Sequence, residues 1–228
     1  MSESKNIFIG VAWPYVNGDL HVGHLAGYLL PADITARFHR FIGNNVLMVS
    51  GSDCHGTPIT VEAEEKDISP QEVIDIYHPK HKKLFSQYNI SFDLYTKTTT
   101  DNHKDVVQDM FVRLAKNGYL TTSKSKQYYS KQEDRFLPDR YVVGTCPHCN
   151  YENARSDQCD QCGRVLDPGE LKKARSQLSD NEVSLKETEH YYLDLPKLED
   201  FLKQYFQNNK DHWRNWIAQE TKGWLERG

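Results

Sequence analysis

The order of apolar and polar positions predicts a strand, a helix and a second strand at the start of the chain. Ile7–Trp13 is a nearly continuous apolar run, typical of a strand buried on both faces of a parallel sheet. Apolar residues at helical spacing follow over Leu25–Ala36, and Pro31 is expected to bend that helix. Val46–Val49 is a second buried-strand candidate. This order predicts an α/β fold that begins with a βαβ unit.

Capping residues, prolines and glycines predict further helices up to residue 118, and a pattern typical of strands begins after it. Thr57 and Ser69 are expected to cap two helices, and Pro79 is expected to bend or break the second. Gly118 is expected to end a third helix, and we place a domain boundary there. Beyond it, the pattern predicts strands over 119–145 and around 190–195, and amphipathic helices over 197–206 and 213–225.

Composition narrows the class of protein without naming a function. The chain has 228 residues, a net charge of −4, 38% hydrophobic residues and 26% charged residues, which is ordinary for a globular protein. Any contact with nucleic acid would need a local basic patch. The first residues do not read as a secretion signal, and no apolar stretch is long enough to span a bilayer. We therefore expect a cytoplasmic protein.

The cysteines point to a metal. Four of the five form two C-x-x-C pairs, Cys146 with Cys149 and Cys159 with Cys162. Two such pairs can supply a tetrahedral set of thiolates, which suits one structural Zn²⁺. Unpaired thiols or a redox pair are the alternatives. The fifth, Cys54, stands alone and is expected to be a small buried thiol.

A pair of histidines marks the junction between the first strand and the first helix. His21 and His24 are three residues apart, so they lie on one face of the helix start, and Gly23 leaves room for a ligand. Helix starts present backbone N–H groups that attract phosphate, and the imidazoles can donate to phosphate oxygens. Taken alone, the pattern also fits two surface histidines at a turn.

A carboxylate follows the second predicted strand. Asp53 lies at its carboxyl end, which is where open α/β sheets bind ligands, and it is suited to hold an ammonium group. The alternative is that Asp53 is a turn residue and Thr57 a helix cap.

The strings AWPYVNGDLHVGHL and SGSDCHGTPI resemble the signatures of the methionyl-tRNA synthetases, a class I aminoacyl-tRNA synthetase family. The cysteine-rich stretch ARSDQCDQCGRVLDPGEL is similar to the zinc knuckle in that family's connective insertion. The resemblance implies that His21 and His24 are catalytic and that, with Gly23, they bind ATP. It implies that the methionine-binding positions are Ala12, Trp13, Tyr15 and Asp53. It also agrees with zinc at the four paired cysteines.

The resemblance implies a division of the chain and a missing part. Residues 1–118 would be the first half of a Rossmann-type catalytic domain. Residues 119–228 would be the connective insertion, with the knuckle at 146–162 and the start of the return. Family members continue with a second half of the nucleotide fold and a helical domain. We therefore expect a truncated or split gene product or an expressed fragment, inactive alone, with a possible complementing chain.

The implied reaction is activation of methionine by ATP, with Mg²⁺, to methionyl-adenylate, followed by transfer to tRNA(Met). Two alternatives stay open. One is a fragment of another class I synthetase, of the valine or isoleucine type. The other is a zinc-braced binding module without catalysis.

Overall fold

The computed structural model describes residues 4–227, and for Arg227 the backbone only. The chain divides between Gln108 and Asp109 into two compact units. This division falls inside a helix, so the functional boundary expected near residue 118 stays a prediction.

The first unit is a parallel α/β layer. Its strands run in the order β1-β2-β3 and are parallel throughout, which confirms the predicted α/β class. The strands are β1 Asn6–Gly10, β2 Asn45–Ser52 and β3 Leu94–Lys97. The helices are α1 Val22–His24, a π-helical segment Leu25–Leu29, α2 Leu30–Phe41, α3 Thr57–Glu65, α4 Pro70–Gln87 and α5 Asp101–Lys116, the last of which continues into the second unit.

The sheet is covered on one face. Ile9 and Met48 point into a core formed with the π-helical segment, α2 and the end of α4. On the opposite face Phe8 is 70% exposed, Leu47 50% and Leu94 54%. The expectation that the first strand is buried on both faces is therefore wrong for this chain, because the packed helices of this core lie on one face. The strand is also shorter than predicted and ends at Gly10.

Pro31 is accommodated by a change of helix type. The helical path continues from Val22 to Phe41, and Leu25–Leu29 is wound as a π-helix in which the Leu30 N–H donates to the Leu25 carbonyl. A proline crowds the preceding turn and donates no hydrogen bond, and a π-bulge re-routes the neighbouring bonds around it. The helix predicted over 25–36 therefore forms, with the π-helical turn just before Pro31.

Helices α3 and α4 begin at their capping residues, and Pro79 does not interrupt α4. The predicted capping box is present: Ser69 Oγ accepts from the Glu72 N–H at 3.2 Å, and Glu72 Oε2 accepts from the Ser69 N–H at 2.8 Å. The helix that follows runs through Pro79 without a break. The preceding helix begins at Thr57 itself, with Gly56 as its cap at φ +101°, a conformation that favours glycine.

The second unit combines an antiparallel layer, a cysteine-rich lobe and terminal helices. One sheet has the order β5-β4-β9 and the other β7-β6-β8. The strands are β4 Leu120–Ser130, β5 Arg135–Phe136, β6 Val142–Thr145, β7 Ala154–Arg155, β8 Lys172–Ser176 and β9 Ser184–Leu193, and the helices are α6 Glu199–Asn209 and α7 Asn215–Arg227. Among residues 4–227, no helix is both long and apolar enough to cross a bilayer.

A buried carboxylate ties α2 to the loop before β3. Asp33 is 5% exposed. It accepts hydrogen bonds from the Ser91 N–H at 2.7 Å and the Ser91 hydroxyl at 2.6 Å, and it pairs with Arg37 at 2.6 Å. Burial alone would raise the pKa of Asp33, but the donors of Ser91 and Arg37 outweigh it and lower the pKa. The folded structure therefore stabilises the ionised form of Asp33.

We expect Asp33→Ala to lower the free energy of unfolding by about 3 kcal/mol, since it leaves Ser91 without its acceptor. The matched control is Asp109→Ala, which breaks an exposed Asp–Arg pair of the same i,i+4 spacing with Arg113 and should cost about 0.5 kcal/mol or less. Because the folded-state pKa of Asp33 is depressed, its contribution is present above about pH 4 and lost as the pH falls further. Urea unfolding at pH 7 and pH 3 measures both effects, and equal losses in the two variants would contradict the assignment.

Candidate functional site

The loop after β1 is clamped to the end of β2 by two backbone hydrogen bonds. The Asp53 N–H donates to the Pro14 carbonyl at 2.8 Å, and the Val16 N–H donates to the Asp53 carbonyl at 3.1 Å. Tyr15 and Asp53 thus form an isolated parallel bridge beyond the regular strands. The carboxyl ends of parallel strands are where such sheets bind ligands. The clamp brings Tyr15 beside Asp53 at that edge.

Trp13 and Ala12 lie on the same edge. The Trp13 ring packs directly on Gly51 of β2: a Cβ at Gly51 would lie 2.4 Å from the ring atom Cζ3. The Ala12 carbonyl accepts from the buried Ser50 hydroxyl at 3.2 Å. The absence of a side chain at Gly51 is therefore what lets the Trp13 ring approach β2 this closely. The methionine-binding role of these residues stays a prediction.

The His21 and His24 rings lie side by side with their centroids 4.0 Å apart and their planes tilted by 50°. Nδ1 of His21 accepts from the Gly23 N–H at 3.0 Å, and Nδ1 of His24 accepts from the His21 N–H at 3.2 Å. With Nδ1 accepting in each ring, the neutral tautomer carries its proton on Nε2. The turn therefore presents two adjacent Nε2–H donors, which suits an oxyanion.

The electrostatics keep one of these rings neutral. Burial, and then the nearby His21, lower the pKa of His24 below its ordinary value of 6.5. A side chain at position 23 would displace the His21 ring, because a Cβ at Gly23 would lie 2.8 Å from Cε1 of His21. His24 can thus act as an uncharged hydrogen-bond donor at neutral pH.

Asp53 and Cys54 differ in what they offer a ligand. Asp53 is partly exposed, and its Oδ1 makes one long contact with the His55 N–H at 3.4 Å. Cys54 is 3% exposed, and its thiol contacts the Ser52 carbonyl at 3.3 Å. The expectation of a buried thiol is confirmed, and this burial argues against Cys54 as a nucleophile.

The sequence reasoning missed a set of polar residues behind this edge. Ser52 contacts Nδ1 of His78 at 2.9 Å and the Tyr95 hydroxyl at 2.9 Å. His81, 1% exposed, contacts the Tyr95 hydroxyl through Nδ1 at 3.4 Å and the Gly18 carbonyl through Nε2 at 2.9 Å. The available signal was two histidines three apart on one helix, but the partners lie far away along the chain.

The second unit holds the cysteine site. The four sulfur atoms of Cys146, Cys149, Cys159 and Cys162 all lie within 4.8 Å of one another. Two of the separations are 4.0 Å, between Cys146 and Cys162, and 3.6 Å, between Cys149 and Cys159. Four sulfurs placed at about 2.3 Å around a tetrahedral zinc are about 3.8 Å apart. The donor set therefore fits one Zn²⁺ and could hold it.

The two cysteine pairs sit on matching backbone turns. The Cys146 N–H donates to the carbonyl five residues on, and its carbonyl accepts from the N–H of Asn150, at 2.8 and 3.1 Å. Cys159 repeats both bonds, with Gly163 in the place of Asn150, at 2.9 and 2.8 Å. Asn150 and Gly163 both adopt left-handed φ angles, +61° and +70°. Asparagine and glycine are the residues that tolerate this conformation, so the local sequence favours both turns.

We expect Gly51→Ala to push the Trp13 ring off β2 and to lower the free energy of unfolding by about 1–3 kcal/mol, since overpacking forces neighbours to shift. The indole N–H resonance of Trp13, assigned with Trp13→Phe, should move. Gly27→Ala is the control, because a Cβ there meets no atom within 4 Å and alanine favours a helix. An unmoved Trp13 resonance would overturn the packing argument.

Comparisons with known proteins identify a family and close relatives for this chain. The family described as tRNA synthetases class I (M) matches residues 7–228. The methionine–tRNA ligase of Roseiflexus castenholzii is 52% identical over 223 residues, 97% of this chain and 38% of that protein. That of Thermomicrobium roseum is 48% identical over 228 residues, covering 100% of this chain and 38% of that protein.

A solved structure shares the fold. Mycobacterium tuberculosis methionyl-tRNA synthetase in complex with methionyl-adenylate superposes with a TM-score of 0.70 at 20% identity, over 98% of this chain and 39% of that chain. The present chain thus spans about two fifths of the length of the relatives it matches. With a match over nearly its whole length, the chain belongs to the class I (M) tRNA synthetases, the family of the methionine–tRNA ligases.

Proposed function

We propose that this chain supplies one wall of the active site of a methionine–tRNA ligase. That enzyme would form methionyl-adenylate from methionine and the Mg²⁺ complex of ATP, and then transfer the methionyl group to tRNA(Met). The observation that carries the proposal is the His21–His24 pair: backbone N–H groups occupy both Nδ1 atoms, so that Nε2 of each neutral ring carries the proton that a ligand could accept. The valine- and isoleucine-type alternative is disfavoured by relatives 52% identical to this chain that are methionine–tRNA ligases.

The proposed chemistry needs donors rather than a nucleophile. The carboxylate oxygen of methionine attacks the α-phosphorus of ATP and forms an O–P bond. The bond from that phosphorus to the bridging oxygen breaks, and pyrophosphate leaves with the electron pair. Negative charge builds on phosphate oxygens in the transition state, and fixed N–H donors stabilise it there. His21 and His24 would supply these donors, and Gly23 would let the phosphates approach the backbone.

The amino acid would bind beside the clamp. Asp53 would hold the methionine ammonium by a charge-assisted hydrogen bond. The apolar side chain would lie against Ala12, Trp13 and Tyr15, which the clamp and Gly51 place on the same sheet edge.

Zinc would brace the second unit. The four cysteines would take one Zn²⁺ and leave no coordination position open, so its role would be structural. A reducing compartment such as the cytoplasm suits this site, because thiolate ligands must stay unoxidised.

The rest of the catalytic domain would have to cover the open side of the sheet. Phe8, Leu47 and Leu94 are exposed on one face of a parallel sheet, and such sheets are normally covered on both faces. The chain spans 38% of the length of its relatives. A complementing chain carrying the remaining part would bury this face and add the opposing wall of the active site.

We expect purified protein to contain one equivalent of zinc. Cys159→Ser should lose the metal, and hydrogen exchange over residues 146–162 should then accelerate, since metal binding and folding are coupled in such sites. The control is Cys54→Ser, which removes a buried thiol in the other unit and should keep the zinc. Elemental analysis decides, and a Cys159→Ser protein that retains its full equivalent would refute the site.

We expect methionine-dependent ATP–pyrophosphate exchange to be absent for this chain alone and to appear on mixing with a chain that carries the remaining part of a close relative. In that mixture His21→Asn or His24→Asn should lower the rate by about 10²-fold, the scale of a lost oxyanion donor. His190→Asn, at an exposed strand position of the second unit, is the control and should leave the rate unchanged. Exchange by the unmixed chain at a comparable rate would disprove the one-wall proposal.

A further inference from the structure

Helix α4 grips the loop that precedes the histidine pair at two adjacent points. The Gly18 carbonyl contacts Nε2 of His81 at 2.9 Å, and the Asp19 carboxylate pairs with Lys80 at 3.3 Å. The Lys80 pair is exposed at both ends, so screening by water leaves it weak. The His81 contact is partly buried, with His81 itself only 1% exposed, and it joins residues 63 apart in sequence.

The proton positions around His81 follow from its partner. A carbonyl oxygen only accepts, so Nε2 of His81 must carry the proton in the contact with Gly18. In the neutral ring Nδ1 is then an acceptor, and the Tyr95 hydroxyl donates a hydrogen bond to it. Tyr95 in turn accepts from the Ser52 hydroxyl, and Ser52 accepts from Nδ1–H of His78, which gives one consistent direction along four contacts and ends at Gly18.

This hydrogen-bond chain joins the two halves of the candidate site. Ser52 immediately precedes Asp53 at the end of β2, and Gly18 lies three residues before His21. Its weakest link is the 3.4 Å contact between Tyr95 and His81. Ser52 is fully buried, and the Tyr95 ring is held in the core at 4.7 Å from Phe85. The hydrogen-bond chain is therefore anchored in the sheet at Ser52 and Tyr95, and its far end reaches the loop at Gly18.

We propose that His81 is a positioning residue which, through its Nε2–H bond to the Gly18 carbonyl, sets the loop that carries His21 and His24 relative to Asp53. The purpose of this positioning, which is to align the candidate catalytic histidines, rests on the proposed function. The contact itself is independent of that function. His81 touches no reacting group and acts through the loop.

The surroundings keep His81 in the form that this bond requires. Burial is the largest influence and lowers the pKa of His81, while the Gly18 carbonyl and Asp19 act in the opposite direction and His24 and Lys80 add to the lowering. Burial likewise lowers the pKa of His78 and raises that of Tyr95, the other titratable groups of the chain of contacts. Near neutral pH both histidines are therefore uncharged, and the direction of the bonds is fixed.

The test uses this chain without nucleotide. We expect the amides of His21, Gly23 and His24 to exchange at least about tenfold faster in His81→Ala, because the loop loses its tether. His81→Gln places an amide N–H near the position of Nε2 and should restore exchange to about the wild-type rate. Lys83→Ala, an exposed position on the same helix, should change nothing. Equal acceleration in the Ala and Gln variants would show a packing role and overturn the proposal, as would no acceleration in either.

Two further measurements keep the proposal decidable if His81→Ala fails to fold. Long-range ¹⁵N–¹H spectra of the wild-type chain should show the His81 proton on Nε2, and a proton on Nδ1 alone would overturn the assignment. Tyr95→Phe removes the hydroxyl and keeps the ring, and it should accelerate exchange in the same amides. Unchanged exchange in Tyr95→Phe would show that the tether does not depend on the hydrogen-bond chain.

Activity separates this inference from the proposed function. In the mixture with a complementing chain, His81→Ala should lower kcat for pyrophosphate exchange by about tenfold and change KM for methionine less, the pattern of a displaced catalytic group. His81→Gln should recover most of kcat. A wild-type mixture with no activity would defeat the proposed function and leave the exchange result standing. An active mixture that is insensitive to His81→Ala would defeat this inference alone.

Discussion

The backbone clamp between Pro14, Val16 and Asp53 is the interaction on which the candidate site depends. Parallel pairing of β1 and β2 brings their carboxyl ends to one edge, but regular pairing stops at Gly10 and Val49. The two clamp bonds, 2.8 and 3.1 Å long, continue the approach of the two chains past the strands. Without them Tyr15 and Asp53 would lie on separate loops. The residues proposed to bind the amino acid and those proposed to bind phosphate would then not be held in a fixed arrangement.

Around this clamp the packing alternates between small and large groups. Gly51 gives way to the Trp13 ring, and Gly23 gives way to the His21 imidazole. At both places the backbone approaches a ring more closely than a Cβ would permit. The glycines thus let aromatic rings pack closely against the edge of the sheet, and buried polar residues connect that edge to the loop at Gly18. In the second unit, two matching backbone turns bring the four cysteine sulfurs together.

Much of this arrangement could be read from local sequence. The capping box at Ser69 and the helix end near Gly118 formed as predicted, because caps and left-handed turns depend on a few adjacent residues. The convergence of the four cysteines was also predictable, since each pair is a local turn. The π-helical segment was not predictable. The spacing of apolar residues is the same whether Pro31 bends an α-helix or is accommodated by a wider π-helical turn.

The sequence by itself determined the chemical inventory: two histidines at a helix start, a carboxylate after the second strand, four thiolates in pairs, and an α/β order of elements. Only the tertiary structure decided that Trp13 packs against Gly51, that His81 reaches Gly18, and that one sheet face stays exposed at Phe8 and Leu47. The reason is physical. Local motifs are fixed by bonds between near neighbours, whereas these features depend on which distant segments the folded chain brings into contact and which it leaves to solvent.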